Sequence, residues 1–189
     1  MLVGDCSVFA IESKITSATE SSSQLALGSF IIHVGGQAFG VREPDASMLG
    51  CSFNEVECRL QRRGTHLVPI VNHVAATDVA AAYLDAIYRD TQRTDYFGLS
   101  QHQFTDALYS SGSIWAPDGD AAFDDGSHIL QFDVESRVRI VAFLNTEPPG
   151  VLPQTIREEW MDADLFYAIV SGWRTLFATE RTSRLLKRL

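Results

Sequence analysis

Leu27-Gly-Ser-Phe-Ile-Ile-His-Val34, Gly35-Gly36 and Gln37-Ala-Phe-Gly-Val-Arg42 form the stretch on which the fold turns. Two β-prone runs flank a Gly-Gly pair, and glycine at both central positions can take the positive φ of a tight hairpin turn. An antiparallel pair is therefore predicted, closed by Glu43-Pro44-Asp45. Upstream, residues 6–16 are rich in β-branched and aromatic side chains and read as a first strand, with 17–24 as a Ser-rich loop. A second hairpin is predicted from 128–134 and 137–144, where Val138, Ile140, Ala142 and Leu144 alternate with Arg139, Val141 and Phe143.

The helical signals lie between and after these hairpins. Ser52-Phe-Asn-Glu55 has capping-box spacing and Gly64 follows as a stop, which predicts a helix over 53–63. Thr77-Asp78 opens a second helix, with Val79, Tyr83, Ala86 and Ile87 on one face. Ser100-Gln-His-Gln103 is another capping box, ahead of 104–109. The longest periodic signal comes last. Asp162 and Asp164 suit a helix N-terminus, and Leu165, Phe166, Ile169, Val170, Trp173, Leu176 and Phe177 follow at helical spacing, a face expected to dock on a sheet. Strands, helices, strands and a helix with little βαβ alternation predict one α+β domain over 1–189. Its sheet is mainly antiparallel and built from hairpins, with packed helices including a long C-terminal one.

Charge narrows the function. The 189 residues hold 24 acidic against 15 basic groups, a net of −9, with 46% hydrophobic residues. That is ample for a packed core, and the negative sign disfavours direct nucleic-acid binding. From 174 onward five basic residues and Glu180 sum to +4, so the preceding 173 residues carry −13. Basic groups near a helix C-terminus suit its dipole, and the acidic body would be repelled by an anionic membrane. No secretory signal or spanning segment is readable, and Cys6, Cys51 and Cys58 are odd in number. A cytoplasmic protein with reduced thiols is expected.

The common catalytic motifs are absent. There is no Gly-x-Ser-x-Gly and no P-loop, and the glycines at 35, 36 and 40 have the wrong spacing for a dinucleotide fingerprint. Cys51 and Cys58 share a helical face but stand roughly 10 Å apart at the helical rise, too far for thiolates at about 2.3 Å from one zinc. No catalytic residue, metal site or cofactor is assigned. A cleft lined by histidines such as His66, His73 or His128, serving an enzyme or a small-ligand binder, is the alternative.

The most unusual local sequence is Trp115-Ala-Pro-Asp-Gly-Asp-Ala-Ala-Phe-Asp-Asp-Gly126. An EF-hand register that places Gly126 sixth puts Ala121, Phe123 and Phe132 at ligand positions, so calcium is excluded there. Two readings stay open. Asp and Gly can simply supply turn geometry. Alternatively Trp115, Asp118, Asp120, Phe123, Asp124 and Asp125 form a partner-binding surface, an aromatic anchor among carboxylates facing an Arg/Lys-rich protein. Such a surface imitates the phosphate track that a nuclease binds.

Four stretches resemble the immunity protein 42 family of bacterial polymorphic-toxin systems. They are Gly4-Asp5 with Ser7-Val-Phe-Ala-Ile11, then Val34-Gly-Gly-Gln37 leading to Gly40-Val-Arg-Glu-Pro-Asp45, then Trp115–Asp120 with Phe123-Asp-Asp-Gly-Ser127 and Gln131-Phe-Asp133, and last the Trp160 and Trp173 region. The resemblance implies a cytoplasmic, non-enzymatic protein that binds and neutralises a cognate toxin domain by occlusion. It supplies no catalytic residues and does not name the toxin or the oligomeric state.

Overall fold

Why the chain folds as it does is visible in a computed structural model that describes residues 1–116, 120–145 and 151–187. The first sheet contains β1 (Leu2–Asp5), β2 (Phe9–Ala18), β3 (Ala26–Val34), β4 (Gln37–Phe39) and β5 (Ser47–Met48). Its antiparallel order is β1-β2-β3-β4, with β5 also on β3. The Gly35-Gly36 turn pairs Val34 with Gln37, and both glycines have positive φ as the hairpin requires. The predicted first strand, 6–16, corresponds to β2, and β1 ahead of it is a further strand that the pattern did not show. Asp5 Oδ1 accepts from Ser7 N at 2.8 Å and from Ser7 Oγ at 2.7 Å, and this side-chain turn reverses the chain between β1 and β2.

Three helices follow: α1 (Leu49–Gln61), α2 (Ala76–Ile87) and α3 (Gln101–Ser111). The second sheet is β6 (Ile114–Ala116), β7 (Ser127–Val134), β8 (Arg137–Leu144) and β9 (Arg157–Asp162), antiparallel in that order. The short α4 (Leu152–Thr155) precedes β9, and α5 (Ala163–Leu186) ends the fold. The α+β class, the hairpin-built antiparallel sheets and the long C-terminal helix are as predicted. Among the described residues no helix is long and apolar enough to cross a membrane.

The alternation along β7 and β8 organises two cores. Ile129, Val138, Ile140 and Ala142 face a cluster formed with the first sheet, α1 and α5. Leu130, Phe132, Val141 and Phe143 face a second cluster with α2 and α3. In the first cluster Trp173 of α5 meets Phe30 of β3 edge-on at 5.0 Å and stacks on Phe177 at 5.2 Å. Its indole N–H donates to Ser13 Oγ at 2.9 Å, so the ring is buried with its one donor satisfied. Phe166, Ile169, Val170, Trp173 and Phe177 form the buried stripe of α5. Leu165 and Leu176, expected on that face, are 55% and 47% exposed because they fall off the stripe.

Two helix starts show what local signals can settle. At α3 the capping box forms as predicted: Ser100 Oγ accepts from Gln103 N at 3.3 Å and Gln103 Oε1 from Ser100 N at 3.0 Å. At α1 the predicted box is unused. The helix starts at Leu49, four residues early, and Ser52 Oγ lies buried without a partner. Burial of Leu49 and the bond from Gly50 N to Gln24 O at 2.9 Å set this start instead. A Cβ on Gly50 would stand 2.1 Å from Ser23 O, so only glycine admits that approach.

Trp173→Ala is expected to lower the unfolding free energy by about 3–5 kcal/mol, through lost burial and the cavity left between sheet and helix. Ser100→Ala removes only a cap and should cost about 1 kcal/mol. Urea denaturation of both variants tests the order; a Trp173→Ala cost no larger than that of Ser100→Ala would contradict the placement of the core.

Candidate functional site

The second and third resemblance-bearing stretches are brought together in space. Gly40 N donates to Asp125 Oδ2 at 3.1 Å and to Ser127 Oγ at 3.1 Å, and Val41 N donates to Ala122 O at 2.8 Å. Gly40 sits at φ 118, and a Cβ there would meet Phe30 O at 2.8 Å and Ala122 O at 3.0 Å. The join therefore requires glycine. It places Glu43 and Asp45, both exposed, at the same end of the molecule as exposed Asp124 and Asp125.

The carboxylates predicted for this surface have distinct roles. Asp120 Oδ1 caps the 3-10 turn Ala121–Phe123 through Ala122 N at 3.0 Å, and its carboxyl is pushed up by burial and then by Asp124. Asp125 Oδ1 accepts from Ser127 N at 3.0 Å, so this side chain both holds a turn and ties in Gly40. Asp118 lies outside the described residues. The aromatic residues do not stand on the surface. Trp115 is 1% exposed and Phe123 5%, both in the first core, where Trp115 meets Phe9 at 5.8 Å and Phe123 meets Phe30 at 6.2 Å. They brace the acidic end from beneath. The residues that sequence reasoning missed are Glu43 and Asp45, whose signal was their membership of the Gly40–Asp45 stretch.

Nearby, Glu12 joins His33 at 2.8 Å and Arg42 at 3.0 Å. Partial burial raises the Glu12 carboxyl, but the bonds from His33 and Arg42 outweigh it and hold the group below its usual range. Arg42 is thus engaged within this protein, which leaves the acidic end its negative character.

A buried polar network lies at the far end of β7. Arg59 Nη1 donates to Gln131 Oε1 at 3.0 Å. Gln131 Nε2 donates to Tyr167 Oη at 2.9 Å and to Asp133 Oδ1 at 3.3 Å. The Tyr167 hydroxyl in turn donates to Asp133 at 2.9 Å, and burial together with Asp133 raises that phenol well above its ordinary value. Asp133 opens onto a cleft beside the β7–β8 turn, lined also by Arg63, Glu135, Asp162 and Asp164.

The three histidines of the alternative reading do not converge. His73 is exposed and lines a shallow depression with Asp133 and Glu135. His128 is buried against Tyr83, with ring centroids 5.2 Å apart. His66 is buried, its Nδ1 lying 3.0 Å from Ser111 O and 3.1 Å from Gly112 O. Carbonyls only accept, so Nδ1 carries the proton, and Nε2 is buried without a partner. Among the described residues no three His, Cys, Asp or Glu side chains gather as a metal site, and the three cysteines are free thiols.

Burial, and next the Arg59 guanidinium, hold the His66 imidazole below its ordinary 6.5. The unfolded chain takes up this proton first, so stability is present above that value and declines as pH falls below it. Urea midpoints should therefore drop between pH ~7.5 and ~5.5, and drop less in His66→Gln. Equal pH slopes for the two proteins would contradict the assignment.

The immunity protein 42 family model matches residues 1–176. No curated protein matches the chain. Among solved structures, the crystal structure of CdiI from Burkholderia dolosa AUO158 is similar, with a TM-score of 0.56 and 16% identity over 91% of this chain and 97% of that one. At that identity the likeness concerns the fold. The family match covers nearly the whole molecule, both sheets and most of α5, and the chain belongs to the immunity protein 42 family.

Proposed function

We propose that this protein neutralises a cognate toxin domain of a polymorphic-toxin system by binding and occluding it in the cytoplasm, without catalysis. Membership of the immunity family supports the reading, and one structural observation directs it to a surface. The Gly40–Asp125 join assembles Glu43, Asp45, Asp124 and Asp125 on a glycine-anchored scaffold braced by Trp115 and Phe123. Asp118 and Asp120 belong to the same segment.

A concentrated set of carboxylates accelerates encounter with a basic partner and suits the phosphate-binding groove of a nuclease. The likeness to a CdiI structure agrees with this role. The aromatic residues act indirectly: they hold the backbone that presents the carboxylates. The contact is therefore dominated by charge, with Asp124, Glu43 and Asp45 free to meet a partner while Asp120 and Asp125 keep the turns.

Co-expression with the toxin encoded beside this gene is expected to give a co-purifying complex and to restore growth; neither complex nor rescue would overturn the function. Glu43→Lys, Asp45→Lys and Asp124→Lys combined should slow association by about tenfold or more at low salt and flatten its salt dependence. An unchanged rate with unchanged salt dependence would move the interface elsewhere on the protein.

A further inference from the structure

We propose that Leu27 and Met48, exposed side by side at the acidic end, are the apolar anchor of the toxin contact and take one aliphatic or aromatic side chain that stands among basic residues of the toxin domain. The proposal rests on the toxin-binding reading above. It adds what retains the partner once charge has steered it in.

The pair is made by the sheet. Leu27 lies in β3 and Met48 in β5, and the antiparallel register sets them directly opposite each other. Residues so placed point to the same face. That face is the outer one: Ala26, Phe30, Ile32 and Val34 of β3 belong to the first core, and Leu27 alternates with them. Further along the same face Ser29, Ile31 and His33 are buried, and Gly40 passes close over Ile31, where a Cβ would stand 3.3 Å from its Cδ1. This cover stops short of the end of the strand. Leu27 stays 38% and Met48 48% exposed.

The surroundings select the occupant. Asp45 stands three residues before Met48, and Pro44 O accepts from Thr16 Oγ1, beside the Ser17 that pairs with Leu27. On the other side β5 packs against the 3-10 turn Ala121–Phe123, directly ahead of Asp124. The apolar pair is thus continuous with the rim of Glu43, Asp45 and Asp124. Lys14, exposed on β2 and without an ion pair among the described residues, borders it beyond Thr16. Three carboxylates against one ammonium leave the surround negative. A second copy of this chain would bring like charges together, and an anionic membrane would be repelled. A basic face with an apolar side chain at its centre matches both the patch and its rim.

The test measures association and dissociation rates with the toxin domain encoded beside this gene. Leu27→Ser combined with Met48→Ser should speed dissociation about thirtyfold or more and leave association at low salt unchanged. The Lys substitutions at the rim act on association instead. An unchanged dissociation rate overturns the anchor, as does an equal effect of Leu176→Ser, which removes a leucine of similar exposure on α5. The wild-type chain gives a readout that needs no substitution. Dilute hydrogen peroxide converts accessible methionine to its sulfoxide, and mass spectrometry should find Met48 oxidised about tenfold or more slowly in the complex than in the free protein, with buried Met161 slow in both. Equal rates at Met48 overturn the anchor. The chain alone should sediment identically with and without the two serines; a dimer that the double variant loses makes a second copy the occupant and overturns the toxin assignment. If the wild-type chain does not bind the toxin at all, the immunity reading falls and the anchor with it, whereas binding that ignores the double variant removes the anchor alone.

Discussion

Arg59 is the constraint around which the fold is arranged. Its guanidinium is fully buried, and the cost of dehydrating a charge is offset only where partners surround it. Glu55 pairs with it at 2.8 Å, Gln131 accepts from it, and the Trp115 ring lies beneath it at 4.6 Å. Burial pulls the group down to about 10, with Glu55 acting in the opposite direction, so it stays charged at neutral pH. Gln131 passes the interaction on to Tyr167 and Asp133. One charge thus fixes α1, β7 and α5 relative to one another, and a turn of the last helix would break a bond in the core.

Arg139 does comparable work on the other face of the second sheet. Its guanidinium donates to Val71 O and to Val74 O at 2.7 Å, and its Nε meets Glu158 at 2.8 Å. The irregular segment ahead of α2 is held through its carbonyls, and β9 is tied to β8 by charge as well as by its ladder. The two arginines are among the largest fully buried side chains in the molecule. A core that contains them tolerates few alternative packings, because Arg59 Nη1 and the three Arg139 donors each need an acceptor at one place.

Features set within a few residues were legible in the sequence. The Gly35-Gly36 hairpin, the Ser100–Gln103 cap and the Asp162 cap of α5 all close through bonds between near neighbours. The alternation in β8 predicts one apolar face and one mixed by Arg139; both are buried, because Arg139 finds its acceptors inside. The α1 start was misplaced because distant packing of Leu49 overrode the local box. β9 was hidden since Arg157-Glu-Glu-Trp-Met-Asp162 buries only Met161 and shows no apolar period. The site was half visible. Composition marks an acidic, aromatic segment, but whether Trp115 points in or out depends on Phe9 and Phe166, far along the chain. Likewise the Asp125 bond to Gly40 spans 85 residues, beyond any local pattern.

The Gly40 join has a consequence for how such a protein can change. The bonds that hold the acidic end use two backbone N–H groups, one carbonyl, one carboxylate and one hydroxyl, while Glu43, Asp45 and Asp124 hang outside them. Those three positions can exchange sign or size without disturbing a turn, a cap or either core. If this end is the contact surface proposed above, specificity and foldability are uncoupled there, and a new partner would be accommodated by rewriting the rim alone.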